Sequence, residues 1–278
     1  MNHKSAGKSK KISLILILVL AAGLALLLYP VVSDYWNSLH QSQVIGSYAE
    51  AVAGLEDDSY EAMWAEAEAY NAALPRDQSR FHPSEEEQER YEALLNVSGD
   101  GVMGYVEIPS IEASLPIYHG TEEEILQTAI GHIEGSSLPV GGAGTHCVIS
   151  GHRGLPSAKL FTDLDQLAEG DVFYLHVLDE TLAYEVDQIR IVEPDDVSLL
   201  AIEEGKDLCT LVTCTPYGVN SHRLLVRGHR IESQEADEAR ITADAIQIEP
   251  RLVAPIIAAP ILLLLLLWVL LKPFARRK

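Results

Sequence analysis

Hydrophobic positions follow three different rhythms along this chain. Residues 12–29 form a charge-free apolar run of 18, and residues 252–271 form a second, of 20, that includes Pro255 and Pro260. Each is long enough to cross a bilayer as a helix, and prolines near one end of a membrane helix are tolerated. Over 36–74 the apolar residues recur at spacings of three and four: Val44, Tyr48, Val52 and Leu55, then Tyr60, Met63, Trp64, Ala67 and Tyr70. That period predicts an amphipathic helical segment. Residues 75–83 have no period and are bounded by Pro75 and Pro83, which predicts a loop. Ser84 with Glu87 three positions on has the form of a capping box and predicts a short acidic helix over 85–95.

From Gly104 the rhythm changes to short β-rich runs broken by glycine and proline. Eight candidate strands result, at 105–109, 113–118, 146–150, 172–177, 181–186, 188–192, 209–213 and 223–228. A mainly β domain of this kind closes as a barrel or pairs as a sandwich, here with a helical crossover predicted at 157–167. Beyond Ile231 the pattern is lost and the residues turn acidic, which predicts a tether of about 20 residues to the second apolar run. No internal repeat is found.

The charges give the two apolar runs a direction. Lys4, Lys8, Lys10 and Lys11 precede the first, and Lys272, Arg276, Arg277 and Lys278 follow the second. Both basic flanks belong in the cytoplasm, so the middle of the chain lies on the far side of a membrane crossed twice. Residues 21–25 are small enough for a signal-peptide cleavage site, but the apolar run continues past them to Tyr29, as an anchor requires. Net charge is −21, from 20 basic and 41 acidic residues, and the basic residues between the two flanks are scattered. No basic patch is present to neutralise a run of phosphates, which excludes nucleic acid as a partner.

Three cysteines, Cys147, Cys209 and Cys214, leave at least one thiol unpaired within the chain. Cys209 and Cys214 are five apart on one predicted strand and point to opposite faces, which argues against a bond between them. For Cys147 and Cys209 both a disulfide and a pair of buried small hydrophobes are open. His132, His146, His176 and His229 show no metal-ligand spacing, so no metal site is expected.

The candidate chemistry lies in the last two strands. Residues 210–218 read as a strand that ends on Cys214 and a Pro/Gly turn, and residues 222–228 as a strand that opens with Arg223. A thiol and a guanidinium at one end of a sheet suit attack on a carbonyl, because a cation stabilises both a thiolate and a developing oxyanion. A thiol nucleophile also needs a proton shuttle. His152 sits in the loop just past the strand that ends at Ser150, where a rigid scaffold displays reactive groups.

The stretch Thr210-Leu211-Val212-Thr213-Cys214-Thr215-Pro216-Tyr217-Gly218-Val219-Asn220-Ser221-His222-Arg223, with Ser150-Gly151-His152-Arg153-Gly154, resembles the sortase family. Within it the chain resembles the class C, pilin-polymerising sortases of Gram-positive bacteria; residues 131–142, residues 160–164 and the second apolar run support the match. The resemblance implies a closed eight-stranded β-barrel with N-terminal helices and two flanking transmembrane helices. It implies Cys214 as nucleophile, His152 as general acid/base and Arg223 as stabiliser of the oxyanion or of the bound signal. Thr213 and Thr215, flanking the nucleophile, are candidate substrate contacts, whereas alternation aims His222 away from the thiol. Family members cleave an LPXTG-like signal between Thr and Gly through a thioacyl-enzyme. The class C branch resolves that intermediate with a lysine of another pilin, and no cofactor is required.

Class C members often carry a lid with an Asp-Pro-aromatic motif, and residues 76–83 contain no such tripeptide, which leaves Phe81 or His82 as the candidate plug. The expected organisation is a basic tail at 1–11, a membrane helix at 12–29, a helical segment at 30–103 with a lid loop at 76–83, a barrel at 104–231, an acidic tether at 232–251, a membrane helix at 252–271 and a basic tail at 272–278. The alternatives are a sortase that attaches surface proteins to the cell wall and a non-catalytic pilus-assembly scaffold.

Overall fold

In the computed structural model the described residues are 4–232 and, near the end of the chain, 261–262, 264–265 and 268. They fall into two units that divide between Trp36 and Asn37. The first apolar run lies in helix α1 (Lys4–Ala53), whose stretch Leu14–Ala53 contains an 18-residue window of mean hydropathy 2.8 with none of it buried. Among the described residues it is the one helix long and apolar enough to cross a membrane. The helix continues beyond the apolar run, through Pro30 to Ala53. A proline removes one backbone donor and crowds one carbonyl a turn earlier, and a long ladder on either side survives that loss. The tether at 232–251, the second apolar run at 252–271 and the tail at 272–278 lie outside the described residues, apart from residue 232 and helical positions 261–262, 264–265 and 268.

In the second unit the predicted helical segment is two pieces, because α1 stops before Gly54 and α2 (Asp57–Ala73) starts afresh with Asp57 and Asp58 in its first turn, favourable to the helix dipole. Both pieces are fastened to the barrel by buried polar side chains. The Tyr48 hydroxyl donates to the Met103 carbonyl at 3.1 Å and accepts from the Leu178 N–H at 2.7 Å. The Asn71 amide donates to the Leu138 carbonyl at 3.1 Å and accepts from the Leu138 N–H at 2.6 Å. Helix α3 (Glu85–Ala93) opens with the expected capping box: the Ser84 N–H donates to Glu87 Oε2 at 2.7 Å, and the Glu87 N–H to Ser84 Oγ at 3.3 Å.

The β domain is a closed barrel of eight strands: β1 (Val102–Ile108), β2 (Ala113–His119), β3 (Ile130–His132), β4 (Thr145–Ser150), β5 (Val172–Val177), β6 (Glu180–Val192), β7 (Asp207–Thr215) and β8 (His222–Ile231). Neighbours run β1-β2-β3-β4-β7-β8-β6-β5, with β2–β3 and β4–β7 parallel and the other pairs antiparallel. Alternate strand residues such as Ile117, Ile149, Phe173, Leu211 and Val226 are fully buried in the main core.

Eight strands were expected, but not these eight. The runs 181–186 and 188–192 are one 13-residue strand, β6, whose register shifts between Val186 and Gln188. Asp187 at that irregularity holds the Arg227 guanidinium at 2.9 and 3.0 Å. β3 has three residues, too few for an alternation to be read. The predicted crossover helix at 157–167 does not form: only Leu164–Gln166 makes a 3-10 turn, and Leu160 adopts φ 41. Its apolar residues Leu160, Phe161, Leu164 and Leu167 are all buried, so turns place them in the core without a helix.

His146 on β4 shows what the buried histidines do. Its Nδ1 donates to the Ala201 carbonyl at 2.9 Å, and its Nε2 accepts from the Thr210 hydroxyl at 2.7 Å. Burial pushes this imidazole down to about 4, and burial pushes His119 down as well. The unfolded chain takes up a proton near the ordinary histidine value of about 6.5. The folded chain declines it until near pH 4, so stability is lost as pH falls through that window. Denaturant unfolding should lose about 2 kcal/mol from His146 between pH 7 and pH 5. His146→Gln should show a shallower slope whatever its own cost, and an unchanged slope would place the acid sensitivity elsewhere.

Candidate active site

Cys214 is the second-last residue of β7 and Arg223 the second of β8, and the antiparallel register pairs them directly. Directly opposed residues share a face of the sheet. On that outer face Val212 precedes Cys214 and Leu225 follows Arg223, whereas Cys209, Leu211, Leu224 and Val226 belong to the barrel core. Cys214 and Arg223 are both half-buried. The turn between the strands anchors the guanidinium: Arg223 Nη1 donates to the carbonyls of His222 at 3.2 Å and Asn220 at 3.5 Å.

His152 arrives from a different strand. The parallel register of β4 on β7 ends at Ser150 opposite Val212, and two bonds carry it into the loop. The Gly151 N–H donates to the Val212 carbonyl at 3.0 Å, and the Thr213 hydroxyl donates to the Gly151 carbonyl at 2.8 Å. Continued by two residues, the register would set His152 level with Cys214. Gly151 is needed for this approach, since a Cβ there would lie 2.7 Å from both Ile130 Cγ2 and Phe161 Cδ2. The His152 carbonyl accepts from the Phe161 N–H at 3.1 Å, which holds the loop from its other side. Cys214, His152 and Arg223 thus all lie at one end of the β4–β7–β8 sheet.

The remaining candidates separate by environment. Thr213 is buried with its hydroxyl committed to Gly151, so it supports the His152 loop; Thr215, on the other side of Cys214, is buried opposite His222. His222 pairs with Thr215 and reaches Glu193 Oε1 at 3.3 Å. Cys147 and Cys209 are register partners on β4 and β7, both buried and both free thiols. Burial pushes the Cys209 thiol well above its ordinary value, and its hydrogen bond with Cys147 adds to that. Of the three cysteines, Cys214 is the one with access to solvent.

The loop at 76–83 docks on the same outer face. Its 3-10 turn (Gln78–Phe81) is capped by Asp77, whose Oδ1 accepts from the Ser79 N–H at 3.0 Å. Phe81 packs against the cluster of Val148, Leu200, Val212 and Leu225, in which Val212 and Leu225 stand two residues from Cys214 and Arg223 along their strands. Arg80 is buried and donates through Nη2 to the Leu200 carbonyl at 2.6 Å. Gly135, at φ 80, admits the Arg80 carbonyl to a spot 1.9 Å from where a Cβ would sit. His82 instead is exposed and lines a cavity of about 280 Å3 with Tyr70, Pro83, Glu87 and Arg90. Replacing 76–83 by a short Gly/Ser linker should therefore speed modification of Cys214 by a methanethiosulfonate reagent severalfold without unfolding the barrel. Equal labelling rates with and without the loop would make it a connector.

Sequence reasoning passed over Glu123, on the one-turn helix α4 (Glu123–Leu126), whose Oε2 lies 3.7 Å from His152 Nε2. It stands in a run of three glutamates that reads as a solvated face. Arg153, next to His152, is paired with Asp165 and faces the Tyr217 ring at 5.9 Å.

A family model described as a sortase domain matches residues 106–231. Sortase D of Bacillus subtilis (strain 168) is 32% identical over 131 residues, 46% of this chain and 63% of that protein. Sortase A of Staphylococcus aureus (strain NCTC 8325 / PS 47) is 34% identical over 120 residues, 42% of this chain and 56% of that protein. The match therefore spans less than two thirds of these curated relatives. Sortase C1 of Streptococcus agalactiae is similar in structure with a TM-score of 0.66 and 50% identity, over 68% of this chain and 98% of that one. A Streptococcus pneumoniae sortase C, described with its pilin substrate specificity, has a TM-score of 0.61 and 48% identity, over 68% of this chain and 97% of that one.

Proposed function

The chain belongs to the sortase family, and from that premise we propose that it is a membrane-anchored cysteine transpeptidase that cleaves an LPXTG-like sorting signal and joins pilin subunits through isopeptide bonds to a lysine. The observation that carries this reading is the register pairing of Cys214 with Arg223, with His152 brought level from β4. Cys214 Sγ attacks the Thr carbonyl of the signal, Arg223 stabilises the oxyanion or holds the signal, and His152 gives a proton to the departing Gly amine. The thioacyl-enzyme is then opened by a lysine amine. This chemistry needs a nucleophile, a proton shuttle and an oxyanion site, and no cofactor.

Class C neighbours at 50% and 48% identity favour pilin polymerisation over cell-wall attachment. Helix α1 is the anchor in this reading, and the run at 252–271 with its basic tail makes the protein two-pass with the barrel outside the cytoplasm. The test uses the full-length protein in detergent micelles with an LPXTG-like peptide and a pilin that carries the acceptor lysine. Mass spectrometry should find a thioester on Cys214 and an isopeptide-linked product. Coupling to a wall-precursor amine in preference to the pilin would move the assignment to surface-protein attachment, and absence of any thioester would end it.

A further inference from the structure

Two features distinguish Glu123 among the charged groups around His152. Its carboxylate lies 3.7 Å from His152 Nε2, and its side chain is 72% exposed. Arg153 is paired with Asp165 and Lys159 with Asp163 at 3.2 Å, and Arg223 Nη1 is held by the carbonyls of His222 and Asn220. The second oxygen of Glu123 accepts from the Gln127 amide one turn on, which steadies the carboxylate. An alkylamine in neutral water is an ammonium, which must reach the base before it can attack.

Resting on the transpeptidase reading above, we propose that Glu123 is the acceptor-recognition residue, which draws the ε-ammonium of the acceptor lysine to the side of His152. In the step that follows, the lysine nitrogen forms the C–N bond as the bond from the acyl carbon to Cys214 Sγ breaks. Of the two protons the ammonium gives up, one passes to His152 and one to water, and the electron pair of the broken bond leaves on sulfur. An uncharged acceptor gains nothing from this attraction.

The test measures acyl transfer from a fluorogenic LPXTG-like peptide by the full-length protein in micelles, to Nα-acetyl-lysine methylamide or to hydroxylamine, which is uncharged at neutral pH. Glu123→Gln should raise KM for the lysine acceptor about two- to fivefold, the range expected of an exposed ion pair. High salt should shrink that difference, and Glu123→Asp should recover part of it. KM for hydroxylamine should rise less than KM for lysine; any effect relayed through His152 falls on both acceptors alike, so the ratio of the two KM values carries the test. An equal rise for both acceptors, or none for lysine, would overturn the assignment. A wild-type protein that forms no thioester would overturn the transpeptidase reading itself, and this proposal with it.

Discussion

Cys214→Ala is expected to abolish thioacyl-enzyme capture and pilin polymer, a loss of about four orders of magnitude or more, while Cys147→Ala and Cys209→Ala keep most of the activity. The two outcomes follow from the barrel's alternation. Cys214 lies on the outer face opposite Arg223 with access to solvent, and the other two thiols are buried against each other within the wall. Removing a sulfur from either buried site opens a small gap that costs stability and leaves the reacting atoms in place. Intact-mass analysis after incubation with an LPXTG-like peptide checks the first outcome, and steady-state cleavage the second. A thioester that persists in Cys214→Ala would move the nucleophile elsewhere.

His152→Ala and Arg223→Ala should each lower kcat/KM by about three to four orders of magnitude, and the double variant should be little worse than either. In the proposed mechanism the three groups act on one tetrahedral intermediate, so removing a second member takes away little once the first is gone. Arg223→Lys should also be poor. One nitrogen of the guanidinium, Nη1, is held by the carbonyls of Asn220 and His222, and the planar group still presents further donors from its other nitrogens, which a single ammonium held at the same place cannot match. Turnover near wild type in His152→Ala, or additive losses in the double variant, would contradict a concerted site.

Local chemistry was legible in the sequence where it depended on neighbours in the chain. The Ser84/Glu87 capping box formed as read, and the two strands that carry Cys214 and Arg223 formed with each running one residue further toward the turn, to Thr215 and from His222. Elements decided by tertiary contact were not. β3 is a three-residue strand built around Gly131, and the buried apolar residues at 160–167 imitate a helix while occupying turns. The nearness of His152 to Cys214 could be expected only from family resemblance, because it depends on a parallel pairing between strands about 60 residues apart. Glu123 left no trace beyond a run of like charges. Its contact with His152 exists only once β2, β3 and β4 are side by side.

The parallel ladder between β4 and β7 works as a ruler. From Thr145 opposite Asp207 to Ser150 opposite Val212 the two strands advance in step, and His152 and Cys214, the proposed shuttle and nucleophile, stand two marks further on the two scales. Substitutions along these strands change what is packed around the scale and leave its divisions alone. A single inserted or deleted residue in either strand would offset the marks by about 3.3 Å and turn one of the two groups to the opposite face. Length variation tolerated by evolution should therefore gather in the connections at 133–144 and 193–206, which can grow or shrink without moving the zero of either scale.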